Sequence, residues 1–169
     1  MTIYEDTRQK IGEHRNIAEY CRQQGIIVRR TKLEIGDYVS PSPVAVDTKQ
    51  GMGEVYTNLV QQHDRFRNEC IKAQQDGTQL VILIENNEGL RCLDDVERWD
   101  NPRVHDYYAK YAWALAARKN GKTVKLPAPP IGNKRLVKMM ETMTERYGVQ
   151  WQFCSYEETG AKVVEILSG

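Results

Sequence analysis

Five apolar residues stand in a row from Leu80 to Ile84, closed by Glu85 (L-V-I-L-I-E). A strand with one wet face alternates apolar and polar side chains, whereas an unbroken run is the mark of a strand covered on both faces. Around this run the chain reads as helices alternating with strands, which implies an α/β layered domain with a mixed central sheet. Thr2 to Glu5 predicts a short first strand ending at Asp6. Residues 10–24 predict a helix with Ile17, Tyr20 and Cys21 on its inner side, and Gly25 suits its C-terminal cap. Extended structure begins at Ile26 to Arg30. Val55 to Gln75 reads as one long helical stretch with Leu59, Phe66, Cys70 and Ala73 broadly on one face, ended by Asp76-Gly77. Residues 86–133 are irregular and then helical, with a break at Asp100-Asn101-Pro102 and a linker from Pro127 to Pro130. Asn133 suits the cap of a helix running to about Tyr147. Val149, Trp151 and Phe153 then alternate as a strand, and Glu157 to Leu167 makes a last helix. The 169 residues are expected to form one domain, without internal repeats.

The segment from Ile35 to Glu54 (I-G-D-Y-V-S-P-S-P-V-A-V-D-T-K-Q-G-M-G-E) reads as a hairpin. Ser40-Pro41-Ser42-Pro43 supplies its turn, since each proline fixes φ and removes a ladder donor. Alternation places Leu33, Ile35, Asp37 and Val39 on one face, so Asp37 occupies a position the pattern reserves for apolar residues. Asp47 and Lys49 share a face on the returning strand. Asp37 and Asp47 flank the turn symmetrically, and a simple register makes them cross-strand neighbours. Two carboxylates so placed repel, and one pKa rises. A divalent cation removes the conflict: Mg²⁺ or Mn²⁺ prefers oxygen ligands and binds phosphate oxygens directly. Asp37 and Asp47 are therefore the candidate metal ligands. Lys49 would hold or deprotonate an attacking water, or neutralise charge developing on a phosphorane. An acid followed ten positions later by acid-x-Lys is the PD-(D/E)xK arrangement of metal-dependent nucleases. The bland alternative for such a short match is a solvated face.

Other residues carry two readings each. Asp6 and Arg8 stand at the mouth of the first strand, where loop residues reach a site at strand ends; the alternative is a surface ion pair. Glu54 is a metal ligand or a carboxylate stabilising a helix start. His63, Arg65 and Arg67 share a helix with Glu69, as phosphate contacts or as a solvated face. Glu85 joins the carboxylates or begins a loop. Formal net charge is +1, so bulk composition gives no argument for nucleic acid. Residues 107–140, however, hold eight Lys/Arg and no Asp/Glu. Lys122, Lys125, Lys134 and Arg135 are its candidate DNA-backbone contacts, while Tyr107, Tyr108, Tyr111 and Trp113 are stacking groups or, more commonly, core. Gly121-Lys122-Thr123 imitates the end of a phosphate-binding P-loop, but the required earlier glycine is Ala116 and a helix precedes it, so it is none. Cys21, Cys70, Cys92 and Cys154 form no C-x-x-C pair, and no signal-peptide pattern is present, which predicts reduced thiols in a cytoplasm. His14, His63 and His105 lack metal-motif spacing. No run approaches the roughly 18 apolar residues of a membrane span.

Taken together these residues resemble the XPF-type nuclease domain. That family reads D-x-R-E, then L-x-x-G-D-Y, then E-R-K-x-x-x-D, then a helix with R-[LF], then a strand ending L-I-E. Here stand Asp6-Thr7-Arg8-Gln9, Leu33-Glu34-Ile35-Gly36-Asp37-Tyr38, Asp47-Thr48-Lys49, Arg65-Phe66 and Leu83-Ile84-Glu85. Ser155-Tyr156-Glu157-Glu158-Thr159-Gly160-Ala161 is similar to the closing S-x-x-E-T-A segment. Residues 86–132 are the least alike, a divergent and partly helical insertion. The compact form is most similar to versions carried by phages and prophages. Asp47 replaces the family Glu, Thr48 the central Arg and Gln9 the Glu after Arg8, and the later Asp falls at Gly53 beside Glu54. The tandem helix-hairpin-helix module of many relatives is expected to be absent.

The resemblance implies a restriction-endonuclease-like core and a DNA endonuclease dependent on Mg²⁺ or Mn²⁺. Asp6, Arg8, Asp37, Asp47, Lys49, Glu54, His63 and Arg65 would form its catalytic centre. It further implies 5′-phosphate and 3′-hydroxyl products, flap, fork or junction DNA as substrate, and a homodimer through the nuclease domain. By analogy the setting would be recombination, repair or phage replication in the cytoplasm of a bacterial or phage-infected cell. A different class remains open: a catalytically silent DNA-binding or scaffolding protein of the same fold, for which the missing Arg at Thr48 argues. A sequence-specific restriction-type nuclease is a third reading without a residue in its favour.

Overall fold

The computed structural model describes residues 1–10, 12 and 14–169. Six strands build one sheet in the order β2-β1-β3-β4-β5-β6. They are β1 (Thr2–Asp6), β2 (Ile27–Thr31), β3 (Tyr38–Val39), β4 (Val44–Lys49), β5 (Gln79–Glu85) and β6 (Gln150–Cys154). β1 runs parallel to β2, and β5 runs parallel to both β4 and β6, while β3 is antiparallel to its neighbours β1 and β4. The sheet is mixed, as the alternation of helices and strands predicts.

The apolar run occupies β5, between two parallel strands and buried from Leu80 to Ile84. Its side chains divide between two cores. Leu80, Ile82 and Ile84 join Ala45 of β4 against α2 (Met52–Tyr56), α3 (His63–Gln75), α4 (Leu93–Glu97) and α6 (Asn133–Tyr147). Leu83 joins Ile3, Tyr38 and Val46 against α1 (Arg15–Gln23) and α7 (Thr159–Ser168). This two-sided burial explains why no polar residue interrupts the strand. α1 and α7 approach so closely that a Cβ on Gly160 would lie 2.5 Å from Tyr20 Cβ. Among the described residues no helix is long and apolar enough to cross a membrane.

Several expectations need correction. The stretch from Val55 to Gln75 is not one helix: α2 passes into a π-helical turn over Thr57–Gln61, and α3 starts afresh at His63. The wider turn shifts the phase of the side chains, so Leu59, Phe66, Cys70 and Ala73 are all buried although the helix is interrupted. The hairpin is also shorter than its alternation suggests. Leu33 and Ile35 are buried, but they lie in irregular backbone, and pairing begins at Tyr38 opposite Val46. Gly132 is the cap of α6, and Asn133 is its first residue; the Asn133 amide instead donates to the Trp99 carbonyl at 2.6 Å. The helix expected over 10–24 is present as Arg15–Gln23, and residues 11 and 13 lie outside the described ones. α5 (Pro102–Lys119) begins as the Asn101-Pro102 break predicts, with the Asn101 side chain accepting from the Arg103 amide. Its aromatics are not core. Tyr108 is 65% and Trp113 63% exposed, while Ala114 and Ala117 form the buried stripe.

A candidate acidic active site

The ends of β1 and β4, the loop before β3, α2, the π-helical turn and α3 enclose a cleft of about 520 Å³. Asp6, Arg8, Asp37, Asp47, Lys49, Glu54 and Arg65 all line it. These residues are scattered between positions 6 and 65 of the chain, and parallel strand ends bring them together. His63 is not among them. It is exposed on the first turn of α3, although Gln62 before it and Arg65 after it both line the cleft.

Asp47 projects from β4 on the same side as Ala45 and is 4% exposed. Lys49, two residues on, places Nζ 2.6 Å from each Asp47 oxygen. Burial pushes the Asp47 carboxyl well above the usual carboxylate range; Lys49 opposes this, while the Asp37 and Glu69 charges reinforce it. Burial also works against charge on Lys49, but Asp47 and Asp37 prevail and hold its ammonium above the ordinary lysine value. A buried acid bonded to Lys49 thus faces further acids, with Arg8 and Arg65 also lining the cleft.

Asp37 stands one step beyond the Tyr38–Val46 pair, opposite Asp47. Gly36 makes the approach possible: its φ is +66°, and its Cα passes so near β4 that a Cβ would lie 2.9 Å from the Val46 carbonyl. The Asp37 amide donates to that carbonyl at 2.8 Å, and the Asp37 carbonyl accepts from the Asp6 amide at 2.9 Å. Its side chain accepts from Gln9 Nε2 at one oxygen. At the other it accepts from the Thr48 amide at 2.9 Å and the Thr48 hydroxyl at 2.7 Å.

Asp6 and Arg8 form more than a surface ion pair. Asp6 is 2% exposed and takes Arg8 Nε at 2.6 Å and the Arg8 amide at 3.1 Å, while Arg8 also donates to the Leu33 carbonyl at 2.7 Å. The pair ties the exit of β1 to the segment leading into Asp37. Burial alone would raise the Asp6 pKa; the bonds from Arg8 and Leu33 outweigh it and hold the carboxyl below its ordinary 3.8. A depressed folded-state pKa contributes stability above the unfolded value and loses it as pH falls through the folded one. Asp6→Asn is therefore expected to lose about 1–3 kcal/mol in urea unfolding at pH 7. The difference from wild type should begin to shrink below about pH 4, where the unfolded carboxyl protonates, and vanish as pH falls through the lower pKa of the folded-state carboxyl.

The remaining acids separate clearly. Glu54 accepts the Gln50 amide at 2.7 Å and so serves the start of α2 while lining the cleft. Glu85 does not join the cluster: it binds Thr159 Oγ1 at 2.7 Å and Asn16 Nδ2 at 3.2 Å, linking α7 to α1. Glu69 is a residue that sequence reasoning passed over as part of a solvated helix face. It is half-buried, lines the cleft and accepts the Gly36 amide at 3.1 Å. Its position between Phe66 and Cys70, on the edge of the apolar stripe and four residues after Arg65, was the available signal. Gln9 and His14 were also missed, since contacts closed by a loop leave no periodic trace. Lys122, Lys125, Lys134 and Arg135 are exposed and lie outside the acidic cleft; Lys134 borders a second cleft beside Trp99 and His105. Among the described residues, no three His, Cys, Asp or Glu side chains form a ready-made metal cage.

No protein-family model matches the chain, and no curated protein matches its sequence significantly. Solved structures do. XPF from Aeropyrum pernix in complex with DNA superposes with a TM-score of 0.60 at 12% identity, over 99% of this chain and 63% of that one. XPF from Aeropyrum pernix without DNA gives 0.61 at 12% identity, over 98% of this chain and 64% of that one. The chain thus spans a little under two thirds of the length of these structures. The likeness establishes the XPF-type nuclease fold.

Proposed function

We propose that the protein is a divalent-metal-dependent endonuclease that hydrolyses phosphodiesters in DNA, acting on flap, fork or junction structures. The observation that carries the reading is Asp47, a buried carboxylate raised by burial and facing Asp37 and Glu69 across the cleft of a nuclease fold. The DNA in the complex of the Aeropyrum pernix protein supports the choice of substrate. The donor set fits Mg²⁺ or Mn²⁺, which commonly takes one or two carboxylates and completes its shell with water and substrate phosphate. Asp37 and Asp47 would hold the ion, which when bound polarises the phosphoryl oxygen and makes water a stronger nucleophile.

The chain's own residues have separable tasks. Lys49, bonded to both oxygens of Asp47, would hold or activate the attacking water, or neutralise negative charge developing on the phosphoryl oxygens. Arg65 and the exposed guanidinium edge of Arg8 would bind and orient the DNA phosphates, while Asp6 fixes Arg8. Glu54 would support the floor of the site through Gln50. Lys122, Lys125, Lys134 and Arg135 would carry flanking DNA through contacts to its backbone, and two copies would assemble as a homodimer. The second reading is a catalytically silent DNA-binding member of the fold, favoured by Lys49 reaching both oxygens of Asp47.

The experiment is cleavage of end-labelled flap, fork, four-way-junction and plain duplex DNA with Mn²⁺, Mg²⁺ or EDTA. Metal-dependent cutting of the branched substrates is expected. Binding without cutting under either metal would refute the catalytic reading and leave the silent one.

A further inference from the structure

Two positions where the chain departs from the XPF motif by changing charge are Gln9, for Glu, and Thr48, for Arg. Both contact the same carboxylate. Gln9 Nε2 donates to Asp37 Oδ1, and the Thr48 amide and hydroxyl donate to Oδ2 at 2.9 and 2.7 Å. Behind them, Thr48 Oγ1 lies 3.4 Å from His14 Nε2, whose ring stands edge-on to buried Tyr38 at a centroid distance of 6.1 Å.

The three cleft aspartates therefore differ in how their charge is held. Asp6 is bonded to the Arg8 guanidinium and Asp47 to the Lys49 ammonium. Among the described residues, every hydrogen bond that reaches the Asp37 side chain comes from a neutral donor. Arg8 and Lys49 feel the Asp37 charge, but their bonds are made to the other two acids. Neutral donors fix the plane of a carboxylate and leave its charge standing, whereas a bonded cation fixes it and cancels the charge.

We propose that Gln9 and Thr48 are positioning residues which form a neutral clamp on Asp37, keeping its carboxylate oriented and bonded to no cationic side chain as the seat of the divalent cation. This rests on the nuclease reading and deepens it. The clamp also accounts for the two departures as a pair: each replaces a charged side chain with a neutral donor at the same acid.

The test uses the whole chain, with Mn²⁺ titrations followed by thermal melting, melting in EDTA, and DNA cleavage. Gln9→Leu removes the donor to Oδ1, Thr48→Val removes the hydroxyl donor to Oδ2 and leaves the backbone amide there, and in each the Mn²⁺ midpoint should weaken by about 10- to 100-fold. Thr48→Ser, which restores the hydroxyl, should recover the wild-type midpoint. Gln9→Lys separates the two roles. Its ammonium should take the cation's seat, raising the melting temperature in EDTA while abolishing the Mn²⁺-induced shift. If Gln9→Lys melts lower in EDTA, as Gln9→Leu does, and all variants keep the wild-type Mn²⁺ midpoint, Gln9 and Thr48 are structural and the proposal is overturned. A wild-type protein that cuts DNA with an unchanged metal requirement in Gln9→Leu and Thr48→Val overturns the clamp alone. A wild type that neither shifts with Mn²⁺ nor cuts takes down the nuclease reading and the clamp with it.

Discussion

Asp47→Asn should leave a folded protein whose metal-dependent DNA cleavage is reduced by about a thousandfold. The amide keeps the volume of the side chain and an oxygen for Lys49, but it removes the negative charge on which cation binding depends. Asp47→Ala answers a different question, because it strands Lys49, whose side chain is 11% exposed, without its partner. Breaking a buried pair from one side costs about 3–5 kcal/mol, whereas replacing both members with apolar groups of similar size is often neutral or stabilising. The double variant Asp47→Leu/Lys49→Met is therefore expected to melt close to wild type and to cut no DNA. Cleavage assays and urea unfolding on the three variants separate the chemical role of the pair from its structural one. Wild-type cutting rates in Asp47→Asn would remove Asp47 from the site.

The same pair shows what a sequence exposes and what it withholds. Asp47 and Lys49 were legible because strand periodicity is local: two residues apart means one face, and the apolar residues around them say that the face is covered. Asp37 was legible for the related reason that it interrupts an apolar pattern, although that pattern proved to be loop burial and strand only from Tyr38. The run from Leu80 to Ile84 announced a strand with helices on both sides, and the resemblance to the XPF motifs pointed to the fold that the solved structures share. What escaped was set by distance or by backbone phase. No proline or glycine marks the π-helical turn at Thr57–Gln61, where Asn58 and the next residue Gln62 line the cleft and His63 does not. Glu69 looked like any charged residue on a helix until Gly36, 33 positions earlier, was seen to donate to it. The aromatics of α5 carried two readings, stacking groups or the commoner core, and only the packing shows that Ala114 and Ala117 face inward and Trp113 outward.

Gly36→Ala should be strongly damaging for a single added methyl, because two independent penalties coincide there. At φ +66° an alanine occupies the left-handed region, and its Cβ meets the Val46 carbonyl at 2.9 Å and Ala45 Cβ at 3.2 Å. The first penalty is about 1–2 kcal/mol. The second adds about 1–3 kcal/mol, the usual range for overpacking a close-packed site. Relief by movement of β4 is blocked, since that strand is paired to β3 on one side and β5 on the other. The loop must move instead, and it carries the Asp37 amide away from Val46 and the Asp37 carbonyl away from Asp6. A displacement near 1 Å at a catalytic group costs about a hundredfold in rate. Gly25→Ala isolates the first penalty, for Gly25 has φ +65° and nothing within 4 Å of its Cβ position. Urea unfolding should place Gly25→Ala about 1–2 kcal/mol below wild type with full cleavage activity. Gly36→Ala should lie well below it and cut poorly even where it remains folded. Equal losses in the two variants would assign the whole effect to backbone conformation and leave the Gly36–Val46 contact without a role in holding Asp37.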